Sequence, residues 1–108
     1  MPRFPMPPGT LALLILRVLR SGPLHGYAIA QRIRQLSDAV LEAEEGSLYP
    51  TLQRMLLEGW VTARPGLSDT GRRVRFYTLT PDGAKQLKRE LAEYEQVSAA
   101  IQAILRTA

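Results

Sequence analysis

Residues 11–19 read LALLILRVL, a run of apolar side chains that Arg17 alone interrupts. Leu11, Leu13, Leu14, Ile15, Leu16, Val18 and Leu19 pass nearly all the way round a helix. A helix that is apolar on every side is buried on every side. The run predicts a first helix from Leu11 to about Arg20, with Thr10 as its N-cap. A small domain should bury only one face of it, so the surplus predicts a second covering surface, such as another chain. Gly22 in a left-handed C′ position and Pro23 would end it.

Tyr27, Ile29, Ala30, Ile33 and Leu36 then recur at helical spacing, which predicts a second helix from about Gly26 to Leu36 or a little beyond. The next stretch, SDAVLEAEEG, is a weakly specified connector. Leu48, Leu52, Met55 and Leu56 fall at i, i+4, i+7 and i+8, one face of a third helix that Gly59 ends. The Tyr49–Pro50 pair inside it needs a reason, because an interior proline removes a donor and clashes with the carbonyl four residues back. With the N-cap at or near Ser47, Pro50 falls in the first turn, where amides have no helical partner and a proline loses little. The opposite face carries Ser47, Pro50, Gln53 and Arg54, with Tyr49 at its edge.

The period then changes. WVTAR and RRVRFYTL read as strands and PGLSDTG as a turn-rich connection, together a β-hairpin. Val74 and Phe76 lie on one face of the second strand, and Arg73, Arg75, Tyr77 and Leu79 on the other. Trp60 reads as a core anchor, with ligand stacking as the alternative. LTPDG announces a fourth helix running to about Arg106, with Thr80 as N-cap, Pro81 at N1 and Asp82 in the dipole-favoured first turn. Ala84, Leu87, Leu91, Tyr94, Ser98, Ile101 and Leu105 recur at spacings of three and four, a coiled-coil-type seam with one polar position. Val97, Ala100 and Ile104 add a second apolar stripe. Pro2, Pro5, Pro7 and Pro8 make the N-terminus an extended arm. The predicted fold is mainly α with a small β-hairpin: an arm over 1–9, a winged helix-turn-helix over 10–80 and a C-terminal dimerisation helix over 81–108.

Composition narrows the function. A chain of 108 residues, 45% of them apolar, suits one domain with a small core. It has no cysteine, which excludes a disulfide framework and any thiolate metal site, and no metal site is predicted. The nine-residue apolar run is far short of the roughly 20 residues a membrane span needs. The N-terminus carries no run of signal-peptide length. A cytoplasmic protein without membrane association is expected. The net charge of +4 is modest, but Arg64, Arg72, Arg73 and Arg75 face only Asp69 over residues 60–79. Asp38, Glu42, Glu44 and Glu45 make the preceding connector acidic. A local basic patch is the footprint of a nucleic-acid partner; a solvated arginine-rich strand is the alternative.

Three helices followed by a hairpin is the order in which a third helix enters the major groove and a wing follows the backbone. Double-stranded DNA is therefore the expected partner. Arg54 suits a guanine edge, or else an i,i+4 pair with Glu58. Ser47 and Tyr49 suit phosphates, helped by the helix N-terminus; Tyr49 packing against the wing is the alternative. Pro50 and Gln53 share their surface. Arg72, Arg73 and Arg75 would contact phosphate or the minor groove. His25, the single histidine, precedes the second helix, where phosphate contact and capping both stay open, and Tyr27 beside it completes the set. No Ser, His and carboxylate set with partner spacing exists, so no catalytic site is predicted. Glu44 and Glu45 read as first-turn partners of the helix dipole. A winged-helix protein-interaction module that never touches nucleic acid is the rival reading, and clustered wing arginines speak against it.

Three stretches, LLILRVLRSGPLHGYAIAQRI, EEGSLYPTLQRMLLEGWV and RRVRFYTLTPDGAKQL, cover roughly residues 10 to 90 and resemble the PadR family of transcriptional regulators in order and spacing. The resemblance implies a dimeric winged-helix DNA-binding protein, usually a repressor, released by a small effector that it does not identify. It implies no cofactor. The single, short C-terminal helix resembles the family's smaller branch, in which that helix packs against the partner's first helix. A homodimer interface is then expected from Leu14 and Val18 of the first helix and from Leu87, Leu91, Tyr94, Val97, Ile101, Ile104 and Leu105 of the last. Two-fold symmetry implies an inverted-repeat operator.

Overall fold

A computed structural model describes residues 4–7 and 9–107. Its elements are β1 (Phe4–Pro5), α1 (Leu11–Leu19), β2 (Leu24–His25), α2 (Gly26–Leu36), β3 (Leu41–Glu42), α3 (Glu45–Leu57), β4 (Val61–Leu67), β5 (Arg73–Leu79) and α4 (Pro81–Leu105). Four helices and a small antiparallel sheet of order β2-β5-β4 make the predicted, mainly helical winged fold. The third strand, β2, was not expected: two residues are too few to show a period.

α1 packs against α2, α3, α4 and β5. Leu11, Leu13, Ile15, Leu16, Val18 and Leu19 are all buried within this one chain. Most of the apolar surplus of α1 is therefore absorbed by its own fold. Val18 and Leu87, expected at a dimer interface, are only 6% and 4% exposed already and have little surface left for a partner. Leu14 is half-buried. Thr10 is the N-cap residue of α1, as expected, and its carbonyl accepts from the Leu14 amide at 3.1 Å, but its side chain makes no capping bond: the hydroxyl donates backward to the Pro7 carbonyl at 2.7 Å. Gly22, at φ +141°, stands one residue beyond the C′ position expected for it, because Arg20 is the C-cap.

α2 has the expected bounds, and Ile29 and Ile33 are its buried stripe. Tyr27 and Leu36 are exposed instead of packed. Tyr27 lies about half a turn round from Ile29, and Leu36 projects past the end of the core. The helix stops on two left-handed residues, Asp38 (φ +52°) and Ala39 (φ +63°). The chain then enters β3, which runs parallel to β1 with Phe4 opposite Leu41. The Phe4 amide donates to the Val40 carbonyl at 2.8 Å, so this part of the proline-rich arm is tied to the body. Residues 1–3 and Pro8 lie outside the described residues.

α3 starts at Glu45, not after Ser47, and Glu44 is its N-cap. The Ser47 and Leu48 amides both reach the Glu44 carbonyl, at 3.0 and 2.8 Å. Pro50 is therefore in the second turn, and it deprives the Gly46 carbonyl of its usual helical donor. Gly46 is exposed, so water can satisfy that oxygen. Leu48, Leu52 and Met55 are fully buried and fix which face of α3 turns outward.

The hairpin is longer than its sequence suggested. Seven residue pairs run from Val61–Leu79 to Leu67–Arg73, and Pro65 and Gly66 lie inside β4. Pro65 is tolerated because β4 is an edge strand. The connection shrinks to Ser68–Arg72, closed by Gly71 (φ +79°) and by the Ser68 hydroxyl accepting from the Arg72 amide. Thr80 caps α4 as expected: its hydroxyl accepts from the Gly83 amide at 3.0 Å and donates to the Gly59 carbonyl at 2.7 Å. Beyond Leu87, α4 leaves the core. Among the described residues no helix is long and apolar enough to cross a membrane.

Candidate nucleic-acid interface

On the β4–β5 hairpin, Val61, Ala63, Tyr77 and Leu79 share the face that covers the helices. Continued toward the tip, the same face carries Pro65, Arg75 and Arg73. Here the hairpin overhangs the helices and becomes one wall of an open groove. The N-terminal turns of α2 and α3 form the other. His25, Gly26, Tyr27, Gln31, Glu45, Tyr49 and Gln53 line the helical side; Pro65, Ser68, Asp69, Thr70, Arg72, Arg73, Val74, Arg75 and Tyr77 line the wing side. The groove encloses about 1090 Å³ and is open to solvent.

Seven of the ten expected DNA contacts meet in this groove: His25, Tyr27, Tyr49, Gln53, Arg72, Arg73 and Arg75. Ser47 and Pro50 are exposed on α3 but outside it. Ser47 is engaged through its carbonyl, which accepts from the Thr51 hydroxyl at 2.7 Å. Arg54 is also outside. It belongs to the last turn of α3, and its guanidinium lies 5.7 Å from the centroid of the Trp60 ring. Trp60 is half-buried against the core, as an anchor should be.

His25 is the N-cap of α2, its Nδ1 accepting from the Ala28 amide at 3.4 Å. That makes capping its structural role, and leaves Nε2 to carry the proton. Its ring meets Phe76 edge-on at 5.6 Å, across the β2–β5 pairing that sets His25 opposite Phe76. The phenol end of Tyr49 lies against Gly26, the first residue of α2. Arg75 is drawn over the buried Tyr77, 6.0 Å from its centroid. The charge balance on the wing side favours an anion, three arginines against Asp69, with Glu45 opposite.

Sequence reasoning missed Gly26 as a site residue. Its backbone φ is ordinary, so its need for glycine is spatial and leaves no mark on any periodicity. Among the described residues no group of three or more His, Asp or Glu side chains could hold a metal ion.

Residues 15–89 match the transcriptional regulator PadR-like family. Over 87 residues the chain is 30% identical to the negative transcriptional regulator PadR of Bacillus subtilis, a match covering 81% of this chain and 48% of that protein. It is 43% identical over 86 residues to an uncharacterised transposon protein of Streptomyces fradiae, covering 80% of this chain and 23% of that one. The chain thus spans about half, or less, of these curated relatives. Among solved structures, a transcriptional regulator from Clostridium thermocellum superposes with a TM-score of 0.83 at 28% identity, covering 91% of this chain and 95% of that one. A PadR-like regulator from Bacillus cereus gives 0.76 at 25%, covering 93% and 95%. The family is one of regulators rather than enzymes. The matched span runs from α1 through both groove walls into α4, and the chain belongs to the PadR-like family of transcriptional regulators.

Proposed function

We propose that the chain binds duplex DNA as a homodimer and represses transcription from an inverted-repeat operator. The reading rests on one observation: the exposed start of α3 and an arginine-bearing wing form the two walls of a single groove. On this reading α3 enters the major groove of the DNA, with Pro50 and Gln53 toward the base edges and Ser47 toward a phosphate. Tyr49, His25 and Tyr27 meet phosphates beside the α2 N-terminus. Arg72, Arg73 and Arg75 follow the backbone or the adjacent minor groove.

Residues 10–80 are the DNA-binding unit and 81–108 the dimerisation helix. The apolar stripe on distal α4 supports pairing of two chains, which sets half-sites about one helical turn apart. The name of the Bacillus subtilis relative, a negative regulator, supports repression. Release by a small effector completes the proposal, and the cytoplasm is the compartment it requires.

The test is selection from a library of genomic duplexes, followed by sequencing and titration at two salt concentrations. The expected result is a two-fold symmetric consensus bound with a steep salt dependence. Retention of no duplex, or of all duplexes equally, would sink the proposal.

A further inference from the structure

We propose that Gly26 is a positioning residue for DNA binding: the missing side chain at this position is the seat that holds the Tyr49 phenol at the N-terminus of α2. The inference rests on the DNA-binding reading above. A Cβ built on Gly26 would stand 2.7 Å from both Cε1 and the hydroxyl oxygen of Tyr49, and 2.9 Å from Cζ. Real Cβ contacts are never that short. The glycine is not there for its backbone, since its φ lies outside the left-handed region and alanine is the better helix former. What it supplies is room.

The seat matters because of what surrounds it. α2 is 11 residues long, and its first amides and dipole favour an anion. The His25 ring, whose Nδ1 accepts from the Ala28 amide, lines the same groove. A Tyr49 hydroxyl held here adds a further donor to the same place. Swung out of the seat, the phenol leaves a phosphate there one donor short. Tyr49 is half exposed and its colliding atoms are the far end of a flexible side chain. A methyl group on Gly26 should therefore turn Tyr49 outward and leave the fold intact.

The experiment is a double-mutant cycle on the selected duplex, using the full chain: wild type, Gly26→Ala, Tyr49→Ala and the double variant, each with a thermal melt. Gly26→Ala should weaken binding about tenfold, the scale of one hydrogen bond to a charged group, with a melting temperature unchanged or raised. Tyr49→Ala should weaken it similarly. The double variant should bind no more weakly than Tyr49→Ala alone, because the residue that Gly26 positions is gone. Losses that multiply overturn the inference, as does wild-type affinity in Gly26→Ala. If Gly26→Ala alone unfolds, the added Tyr49→Ala must restore the fold by making room; a double variant that stays unfolded overturns it too. A wild-type chain that retains no duplex overturns the DNA reading, and the inference with it. That outcome is distinct from a wild type that binds while the cycle fails.

Discussion

The Arg54 guanidinium lies over the Trp60 ring, 5.7 Å from its centroid, and so belongs to the junction of α3 and β4, outside the groove. A cation over an indole at a partly exposed site contributes about 0.5–1 kcal/mol. The helix presents Glu45, Tyr49 and Gln53 to the groove, and Arg54 does not line it. Arg54→Ala should therefore lower stability by about that amount, with base preference unchanged in a selection experiment. A relaxed preference at one base pair per half-site would show that Arg54 leaves Trp60 to read DNA.

The wing arginines behave otherwise. Arg72, Arg73 and Arg75 are all exposed at or beside the hairpin tip. Contacts to phosphate carry no sequence information, so Arg72→Ala, Arg73→Ala or Arg75→Ala should each weaken binding to all duplexes alike. Each should also lower the slope of log affinity against log salt by about 1. Anisotropy titrations on specific and scrambled duplexes distinguish this from base reading: a change in the ratio of the two affinities would assign that arginine to the groove.

Gly83 carries the junction between the wing and α4. A Cβ there would run into the Trp60 carbonyl and stand 2.7 Å from Leu79 Cδ1. Backbone cannot step aside as the Tyr49 ring can. Gly83→Ala should destabilise the fold by about 1–3 kcal/mol through overpacking, visible as a fall in melting temperature of at least several degrees. An unchanged melt would mean that the α4 start slides freely on the hairpin.

What the chain discloses in advance follows from where its signals are repeated. α2 and α4 came out with their bounds because several periodic residues point to each; Thr80, Pro81 and Asp82 leave little freedom for the start of α4. The start of α3 was misplaced because Ser47 is the better cap by type, while Glu44 caps only through its backbone carbonyl. The turn after α2 left no trace, since Asp38 and Ala39 take left-handed angles without a glycine to announce them. At the site, Tyr49, Gln53 and the arginines were legible as exposed polar groups on patterned elements. That they share a groove with His25 depends on β2 pairing with β5, a contact across some 50 residues that no local pattern encodes.

The last prediction concerns assembly. Beyond Leu87 the α4 seam is bare within one chain: Leu91, Tyr94, Val97, Ile101, Ile104 and Leu105 are all exposed, Ile104 by 70% and Leu105 by 76%. α1 has little left to offer, because its own chain covers it, so the expected pairing surface is this distal stripe. A helix of 25 residues runs roughly 37 Å, longer than the core beneath it requires. Soluble monomers rarely leave such a continuous apolar stripe in water. A two-fold partner buries it for both chains, and each buried Leu or Ile is then worth about 1.5–3 kcal/mol, counted twice by symmetry. Ile101→Asp places a charge in the middle of that stripe on both sides of the axis. It should raise the dimer dissociation constant at least 100-fold, leave the melting curve of the winged domain recognisable, and abolish cooperative binding to a two-fold operator while single half-sites are still bound weakly. Sedimentation equilibrium at micromolar concentration decides the matter. An intact chain that sediments as a monomer, or an Ile101→Asp chain that remains a dimer, removes α4 as the dimer element and the inverted-repeat operator with it.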